Sequence, residues 1–247
     1  MKNVMNVKLG INIDHAATLR NARSENDPSL LEVAFATQKG GADSLTMHLR
    51  EDRRHIRDQD IFLVKEHCKI PVNLEMAATP EMLEIALRLA PKSVCLVPEK
   101  RSEITTEGGL DIQGAFLTIK PIVEKLVENK IDVFMFVEPD CDAIQRSQDC
   151  GATGVEVHTG AYARASNNSS ARKQQLERIY LSAEFCDKKK VEFHAGHGLN
   201  YNNVQDLLGI SNLVEVNIGH AILARAILAG MENAVQDMKK ILMGQSR

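Results

Sequence analysis

Aromatic residues, paired cysteines and long apolar runs are all scarce in this sequence of 247 residues. Tryptophan is absent and aromatic residues make up only 4% of the chain, so the core must be built from Val, Ile, Leu, Ala and Met. The five cysteines include no Cys-x-x-Cys pair, and their odd number argues against a disulfide framework. No stretch approaches the roughly 20 apolar residues that a membrane-spanning helix needs.

The chain also lacks an excess of positive charge and an amino-terminal apolar run. Its formal net charge is −3, which argues against a general nucleic-acid or anionic-membrane binder, although a locally basic pocket is still possible. The first nine residues contain no hydrophobic run of signal-peptide length. Together with the free thiols, these features predict a cytoplasmic protein with no membrane or nucleic-acid partner.

Eight short apolar runs recur along the chain, separated by segments with helical ends. The predicted strands are 9–13, 44–47, 72–74, 93–97, 133–137, 154–157, 191–193 and 214–218. Several are almost continuously apolar, as is typical of parallel strands buried on both faces. No Gly-x-Gly-x-x-Gly follows the first run, which argues against a dinucleotide-binding sheet. We therefore predict a (β/α)₈ TIM barrel with extra short helices, formed by residues 1–247 as one domain.

Capping and stop signals place several helices between these strands. Asp27 and Pro28 predict a helix start with a stop at Gly40, and Thr79 and Pro80 predict another start. Further helices are predicted over 140–151, 170–188, 221–228 and 231–242. The segment 99–112 is the one long irregular stretch, and a loop of that length in a compact domain is often a lid over an active site.

Charged and polar side chains follow almost every predicted strand. They include Asn12, Asp14, His15, His48, Arg50, Glu75, Glu99, Lys100, Glu138, Glu156, His158, His194, His197, Asn217 and His220. A single histidine at such a position is more often structural, but six of the eight histidines share it. Because all strand ends of a barrel meet at one face, which carries the active site, we expect these side chains to form one cluster.

Two kinds of chemistry are suggested by this cluster. Glu75 lies between apolar neighbours, so burial should raise the pKa of its carboxyl group, which suits a general acid or base. Glycines at 196, 198 and 219 follow the last two strands, where barrels often bind phosphate at a helix amino terminus. A second basic group lies around Arg50, although most of the run from Arg53 to Arg57 is better explained as a solvated, ion-paired face. Two anion sites predict one bisphosphate or two monophosphate substrates.

Other readings of the same residues are open at this point. His194 and His197 are three apart on a strand end and turn rather than on one helix face, and no His-Glu-x-x-His motif occurs, so we expect no catalytic metal. A different phosphate-binding barrel, such as an isomerase or an aldolase, is an alternative; an aldolase would need a lysine at a strand end, and Lys100 is the clear candidate. A non-catalytic binding protein on the same scaffold is a third possibility.

Long motifs resemble one family, the pyridoxine 5′-phosphate synthases. They are NIDHAATLRNAR at 12–23, HLREDRRHI at 48–56, NLEMA at 73–77, LVPEKR at 96–101, TTEGGLD at 105–111, HTG at 158–160, AGHGL at 195–199 and NIGHA at 217–221. The resemblance runs from about residue 9 to the end of the chain. Motifs this long and numerous are highly specific.

The resemblance implies a ring-closing enzyme of vitamin B6 biosynthesis. Its members, classed as transferases, condense 1-deoxy-D-xylulose 5-phosphate with 3-amino-2-oxopropyl phosphate to give pyridoxine 5′-phosphate, phosphate and water, without cofactor or metal. The family forms homo-octamers. By resemblance the catalytic residues are His48, Glu75, His197 and Glu156. The deoxyxylulose phosphate is contacted by Asp14, His15, Arg50, His55 and Thr105, and the aminoketone phosphate by Asn12, Arg23, Gly198, Gly219 and His220. His158 and His194 receive no role.

Overall fold

The computed structural model describes residues 7–99 and 108–244. Its eight strands form a closed, all-parallel barrel in chain order, from β1 next to β2 through to β8 next to β1. The strands are β1 Lys8–Asn12, β2 Ser44–His48, β3 Val72–Met76, β4 Ser93–Leu96, β5 Asp132–Val137, β6 Gly154–His158, β7 Glu192–Gly196 and β8 Leu213–Ile218. The predicted TIM barrel is confirmed, and each predicted strand overlaps an observed one, with no end more than three residues away.

The helices lie outside this barrel, between consecutive strands and after the last. They are α1 Asp14–Asn21, α2 Leu30–Lys39, α3 Asp58–His67, α4 Pro80–Leu89, α5 Ile112–Glu128, α6 Cys141–Asp149, α7 Gly160–Arg164, α8 Ser170–Lys189, α9 His220–Ala229 and α10 Met231–Leu242. A 3₁₀ turn at Val204–Leu207 precedes β8. Across the described ranges, no helix combines the length and the apolar character that crossing a membrane requires.

Local signals account for most helix boundaries. Thr79 caps α4 by accepting a hydrogen bond from the Met82 N–H, with Pro80 in the first turn as predicted. The predicted start at Asp27 is wrong. Helix α2 begins at Leu30, and Ser29 is its cap because the Ser29 hydroxyl accepts the Glu32 N–H. Asp27 and Ser29 are both residue types that commonly cap helices, and the backbone conformation determines that Ser29 is the cap.

Four strands, β2, β3, β6 and β7, continue past the carboxyl ends predicted for them. His48 and Glu75 are paired residues of β2 and β3, and His158 is the last residue of β6, opposite Gly196 of β7. The predicted strands stopped short because a polar side chain facing the barrel interior does not interrupt the backbone ladder. These residues therefore sit on the rigid sheet rather than on loops.

The two faces of the sheet have opposite polarity. Apolar residues such as Leu9, Leu45 and Leu74 are fully buried in one large core between the strands and the surrounding helices. The interior of the barrel is largely polar and hydrogen-bonded: the Ser44 hydroxyl donates to Glu215 at 2.7 Å, and the Asn217 amide donates to Glu156 at 2.8 Å. Buried polar groups need partners of this kind, and they form the floor beneath the strand ends.

Candidate active site

A cavity of about 580 Å³ opens at the carboxyl ends of the strands. Most of the residues predicted for the site line it, although they come from positions 12 to 220 of the chain. They are Asn12, Asp14, His15, His48, Arg50, His55, Glu75, Glu156, His197, Gly198, Gly219 and His220. The barrel therefore brings the predicted acid–base residues and both predicted anion sites into one space.

Two predicted residues are not placed in this cavity. The Arg23 side chain is 80% exposed and lies 3.8 Å from Glu25, after the end of α1. Thr105 lies outside the described residues, as does most of the segment 99–112 that was predicted to be a lid. The assignments of Arg23 and Thr105 to substrate binding remain predictions.

His48 lies among three carboxylates at the end of β2. Its Nε2 is 2.9 Å from Glu99 Oε1, and its Nδ1 is 3.8 Å from Glu75 Oε2. The His48 backbone N–H donates to Asp14 Oδ1 at 2.9 Å, which ties the strand end to the start of α1. An imidazole held in this way has a fixed orientation and a carboxylate beside each ring nitrogen, which suits it for moving protons.

Glu75 faces the cavity from β3, with 16% of its side chain exposed. Burial raises the pKa of this carboxyl group well above its ordinary value, and the nearby Asp14 and Glu156 carboxylates raise it further, against a hydrogen bond from Asn12. A carboxyl group with a raised pKa suits general acid or base chemistry, and this role of Glu75 remains a prediction.

Glu156 lies deeper in the barrel, on β6. Burial raises the pKa of Glu156 from 4.5 to about 7, although His194 and the hydrogen bond from Asn217 act in the opposite direction. His194 is buried, stacks on the Phe134 ring at 4.2 Å and lies 2.9 Å from Glu192. Among the described residues the contacts of His194 are therefore structural. Its effect on the cavity is electrostatic, because it lowers the pKa of Glu156.

His197 follows β7 in a left-handed backbone conformation, with φ of 73°. The Thr159 hydroxyl donates to the carbonyl of His197 at 2.7 Å and so holds this turn. Burial lowers the pKa of His197 to about 4, with further lowering by His158 and Arg164. The neutral imidazole is thus ready to accept a proton at pH 7.

One rim of the cavity presents backbone N–H groups. Gly198 has φ of 79°, a conformation that glycine adopts without cost, and a Cβ there would lie 2.7 Å from the Ala163 side chain. Asn203 holds this turn, because its amide donates to the Gly198 carbonyl at 3.0 Å. Gly219 is the N-cap of α9 and His220 its first residue, so this helix begins at the cavity. A helix amino terminus favours an anion such as phosphate.

The rim after β2 carries cationic and imidazole side chains. Arg50 is only 2% exposed and lines the cavity, as predicted from its place after β2. Its neighbours Arg53 and Arg54 pair with Asp58 and Asp52, which confirms that they form an ion-paired face. Arg20 of α1 forms a buried double hydrogen bond with Asp60 of α3.

Donor atoms of Asp14, His48 and Glu75 lie within 4.8 Å of one another, a spacing that could hold a cation. Both Asp14 oxygens already accept hydrogen bonds, from the His48 N–H and from the Asn12 amide. The group therefore has a role in fixing the site without an ion. The expectation of no metal remains a prediction.

Two carboxylates that the sequence left unassigned contact the histidines of the site. Glu99 accepts the Glu51 N–H at 3.1 Å as well as contacting His48, and Glu138 lies 2.7 Å from His158 Nδ1. Burial alone would raise the pKa of Glu99, but its contacts with His48 lower it overall. Both residues follow strands, and this position indicated from the sequence that they lie near the site. Which histidine each one contacts depends on side-chain geometry that the sequence does not show.

Comparisons with known proteins agree with this site. The family model described as "Pyridoxal phosphate biosynthesis protein PdxJ" matches residues 9–244. The chain is 49% identical to the pyridoxine 5′-phosphate synthase of Magnetococcus marinus over 236 residues, covering 96% of this chain and 97% of that protein. It is 47% identical to the enzyme of the same name from Ehrlichia chaffeensis, covering 96% and 97%.

Solved structures share the fold at low sequence identity. Thiamine phosphate pyrophosphorylase from Pyrococcus furiosus matches with a TM-score of 0.61 and 14% identity, over 97% of this chain and 96% of that chain. This likeness concerns the barrel alone, whereas the family match covers nearly all of the chain and includes every predicted catalytic residue. The protein therefore belongs to the pyridoxal phosphate biosynthesis protein PdxJ family.

Proposed function

We propose that this protein is a pyridoxine 5′-phosphate synthase. It condenses 1-deoxy-D-xylulose 5-phosphate with 3-amino-2-oxopropyl phosphate and releases pyridoxine 5′-phosphate, inorganic phosphate and water. One observation carries the proposal: His48, Glu75, Glu156 and His197 line the same cavity as two separate anion-binding rims. That combination matches a reaction that joins two phosphorylated substrates by proton transfers.

The chemistry explains why these residue types are needed. An amine adds to a ketone and loses water as an imine, protons leave carbon, a phosphate departs, and a second carbonyl is attacked to close the ring. Each step moves a proton and none is a redox step, so positioned imidazoles and a carboxyl group of raised pKa are sufficient. We assign proton removal to Glu75 and His48, and return of a proton to a leaving oxygen to His197.

The pKa values of His197 and Glu156 constrain this division of work. His197 is neutral at pH 7 because its pKa is about 4, so it must first gain a proton before it can donate one. The arrival of a phosphate beside Gly198 would stabilise the protonated imidazole through the attraction of opposite charges. The pKa of Glu156 is about 7. Once the Glu156 carboxyl group has ionised, it stabilises positive charge that develops on the substrate.

The direct test is incubation with both phosphorylated substrates. We expect the pyridoxine chromophore to appear together with one released phosphate for each product molecule. Absence of both signals with folded protein would contradict the proposal. An aldolase-like mechanism through Lys100 predicts a covalent adduct after borohydride treatment with substrate, whereas we expect none.

Several properties follow from the family rather than from the cavity, and we propose them on that basis. They are a homo-octamer, one domain over residues 1–247, a cytoplasmic location and the absence of a cofactor. Light scattering after gel filtration tests the octamer, since the expected mass is about eight times the 27.4 kDa of one chain.

A further inference from the structure

His158, which neither the sequence nor the proposed reaction assigns, is buried beside the cavity. It is the last residue of β6 and only 2% exposed. Its Nδ1 lies 2.7 Å from Glu138 Oε1. Its Nε2 is buried with no hydrogen-bond partner among residues 7–99 and 108–244. A buried imidazole with one nitrogen held by a carboxylate resembles the oriented histidines of catalytic sites.

The His158 ring packs directly against His197. Their ring centroids are 4.8 Å apart and the Phe136 ring contacts both imidazoles. A Cβ on Gly160 would lie 2.4 Å from His158 Nε2 and 3.0 Å from His197 Cδ2. Because glycine has no side chain, the backbone at Gly160 can pack against both imidazole rings. The position of His197 therefore depends on the position of His158.

Glu138 is held from two sides. The same Oε1 that contacts His158 accepts the Gly109 N–H at 3.0 Å, and the neighbouring Leu110 N–H donates to the Phe136 carbonyl at 2.7 Å. The hydrogen bond with His158 lowers the pKa of Glu138 and keeps this carboxylate charged. Glu138 thus fastens the chain entering α5 and the His158 imidazole to the end of β5.

Three ionisable groups from three elements act on His197. His158 of β6 and Arg164 of α7 lower its pKa when they carry charge, and Glu138 after β5 raises it. Replacing Glu138 and replacing His158 should therefore move the His197 pKa in opposite directions. If Glu138 and His158 only supported the fold, there would be no reason for their replacements to shift the His197 pKa in opposite directions.

We propose that Glu138 and His158 form a positioning dyad for His197, in which Glu138 fixes the His158 imidazole through Nδ1 and that imidazole holds the His197 ring in place. The inference rests on the proposed function only for the catalytic role of His197. The contacts themselves do not depend on which reaction the site performs.

The first test measures His197 without substrate. Hydrogen–deuterium exchange at the imidazole C2, followed by mass spectrometry across pH, reports the pKa of each histidine. We expect His158→Asn to raise the His197 pKa and Glu138→Gln to lower it. Asparagine retains a donor near the position of Nδ1, and glutamine retains an acceptor for it. Circular dichroism across the same pH range checks that each variant is folded.

The second test measures turnover. Displacement of a positioned group by about 1 Å can cost roughly 100-fold in rate, so we expect kcat to fall roughly 10- to 100-fold in both variants with little change in KM. Glu138→Asp should restore most of the lost turnover because it keeps the charge. The pH dependence of kcat should shift in opposite directions in the two variants.

A matched control exists in the same barrel. Glu192 lies 2.9 Å from His194 on β7 and forms a similar carboxylate–imidazole pair at the amino end of that strand. Glu192→Gln should leave the His197 pKa unchanged. The inference is overturned if the two dyad variants shift the His197 pKa in the same direction, if neither shifts it, or if both keep normal kcat. Because the exchange experiment needs no substrate, failure of the proposed reaction is seen separately, as lack of product with the unmodified enzyme.

Discussion

At the scale of single residues, burial rather than residue type decides which groups can carry out chemistry. The chain contains many carboxylates, but among the described residues Glu75 and Glu156 are the two at the cavity whose pKa burial raises. Glu99 is also largely buried and lies 2.9 Å from His48, yet its contacts with His48 lower its pKa. The pKa shifts differ because a hydrogen-bond partner stabilises the buried charged form and so offsets the cost of removing it from water.

Glu75→Gln should reduce kcat by roughly 10²- to 10⁴-fold, the usual contribution of a general acid or base. Glutamine has nearly the same shape, so KM and the fold should change little. Steady-state turnover with both substrates measures the effect, and exposed Glu84→Gln on α4 is the control. Near-normal turnover of the Glu75 variant would remove Glu75 from the mechanism.

Glu156 makes stability depend on pH. Its folded pKa of about 7 exceeds the ordinary 4.5, so the folded protein binds this proton more tightly than the unfolded chain. The resulting stability is present below pH 4.5 and is lost as pH rises through 7, a change of about 3 kcal/mol. Glu156→Gln should therefore stabilise the protein more at pH 8 than at pH 5.

Urea unfolding at both pH values, at one protein concentration, measures this difference. Exposed Glu124→Gln on α5 should show no such pH dependence. A Glu156 variant that is equally stabilised, or destabilised, at both pH values would mean that the carboxyl group is not held protonated by burial. The same variant should lose activity, as is common when a strained site is relaxed.

At the scale of elements, the segment that carries Arg50 and His55 is held by a buried ion pair. Arg20 on α1 and Asp60 on α3 are each about 6% exposed and 2.7 Å apart. Arg20 also donates to the His55 carbonyl at 3.1 Å, and Asp60 accepts the Arg57 N–H at 2.8 Å. Two helices thus fix the rim that we assign to substrate phosphate.

Asp60→Asn should lower the free energy of unfolding by about 3–5 kcal/mol, because it leaves Arg20 buried without its counter-charge. Asp58→Asn, which alters a half-exposed pair with Arg53, should cost less than about 1 kcal/mol. Chemical denaturation of both variants measures the contrast. Equal, small effects would show that water reaches Arg20 when its partner is removed.

At the scale of the whole molecule, barrel closure makes one site from distant positions. Asn12 of β1 and Asn217 of β8 line the same cavity because the last strand pairs with the first. The two anion rims consequently border one space, and the His15 and His220 rings at this junction lie 5.2 Å apart. Binding of a phosphorylated ligand should stabilise the complete barrel rather than one segment.

Inorganic phosphate at about 100 times its dissociation constant should raise the free energy of unfolding by about 2.7 kcal/mol for each independent site. Thermal unfolding and calorimetric titration give the stabilisation and the number of phosphates bound, which we expect to be two for each chain. Chloride at equal ionic strength is the control. An equal stabilisation by chloride would indicate general screening rather than a phosphate site.

The sequence by itself predicted the barrel, six of the ten helices in the described residues and most of the predicted site residues that line the cavity. Parallel strands buried on both faces appear in the sequence as short apolar runs, each followed by polar residues, and eight such runs can be counted. Long motifs such as HLREDRRHI identify the family. Only the tertiary structure decided that Ser29 rather than Asp27 caps α2, that Arg20 pairs with Asp60, and that Glu138 holds His158 beside His197. These outcomes depend on distances between side chains far apart in the chain, and no local pattern encodes such distances.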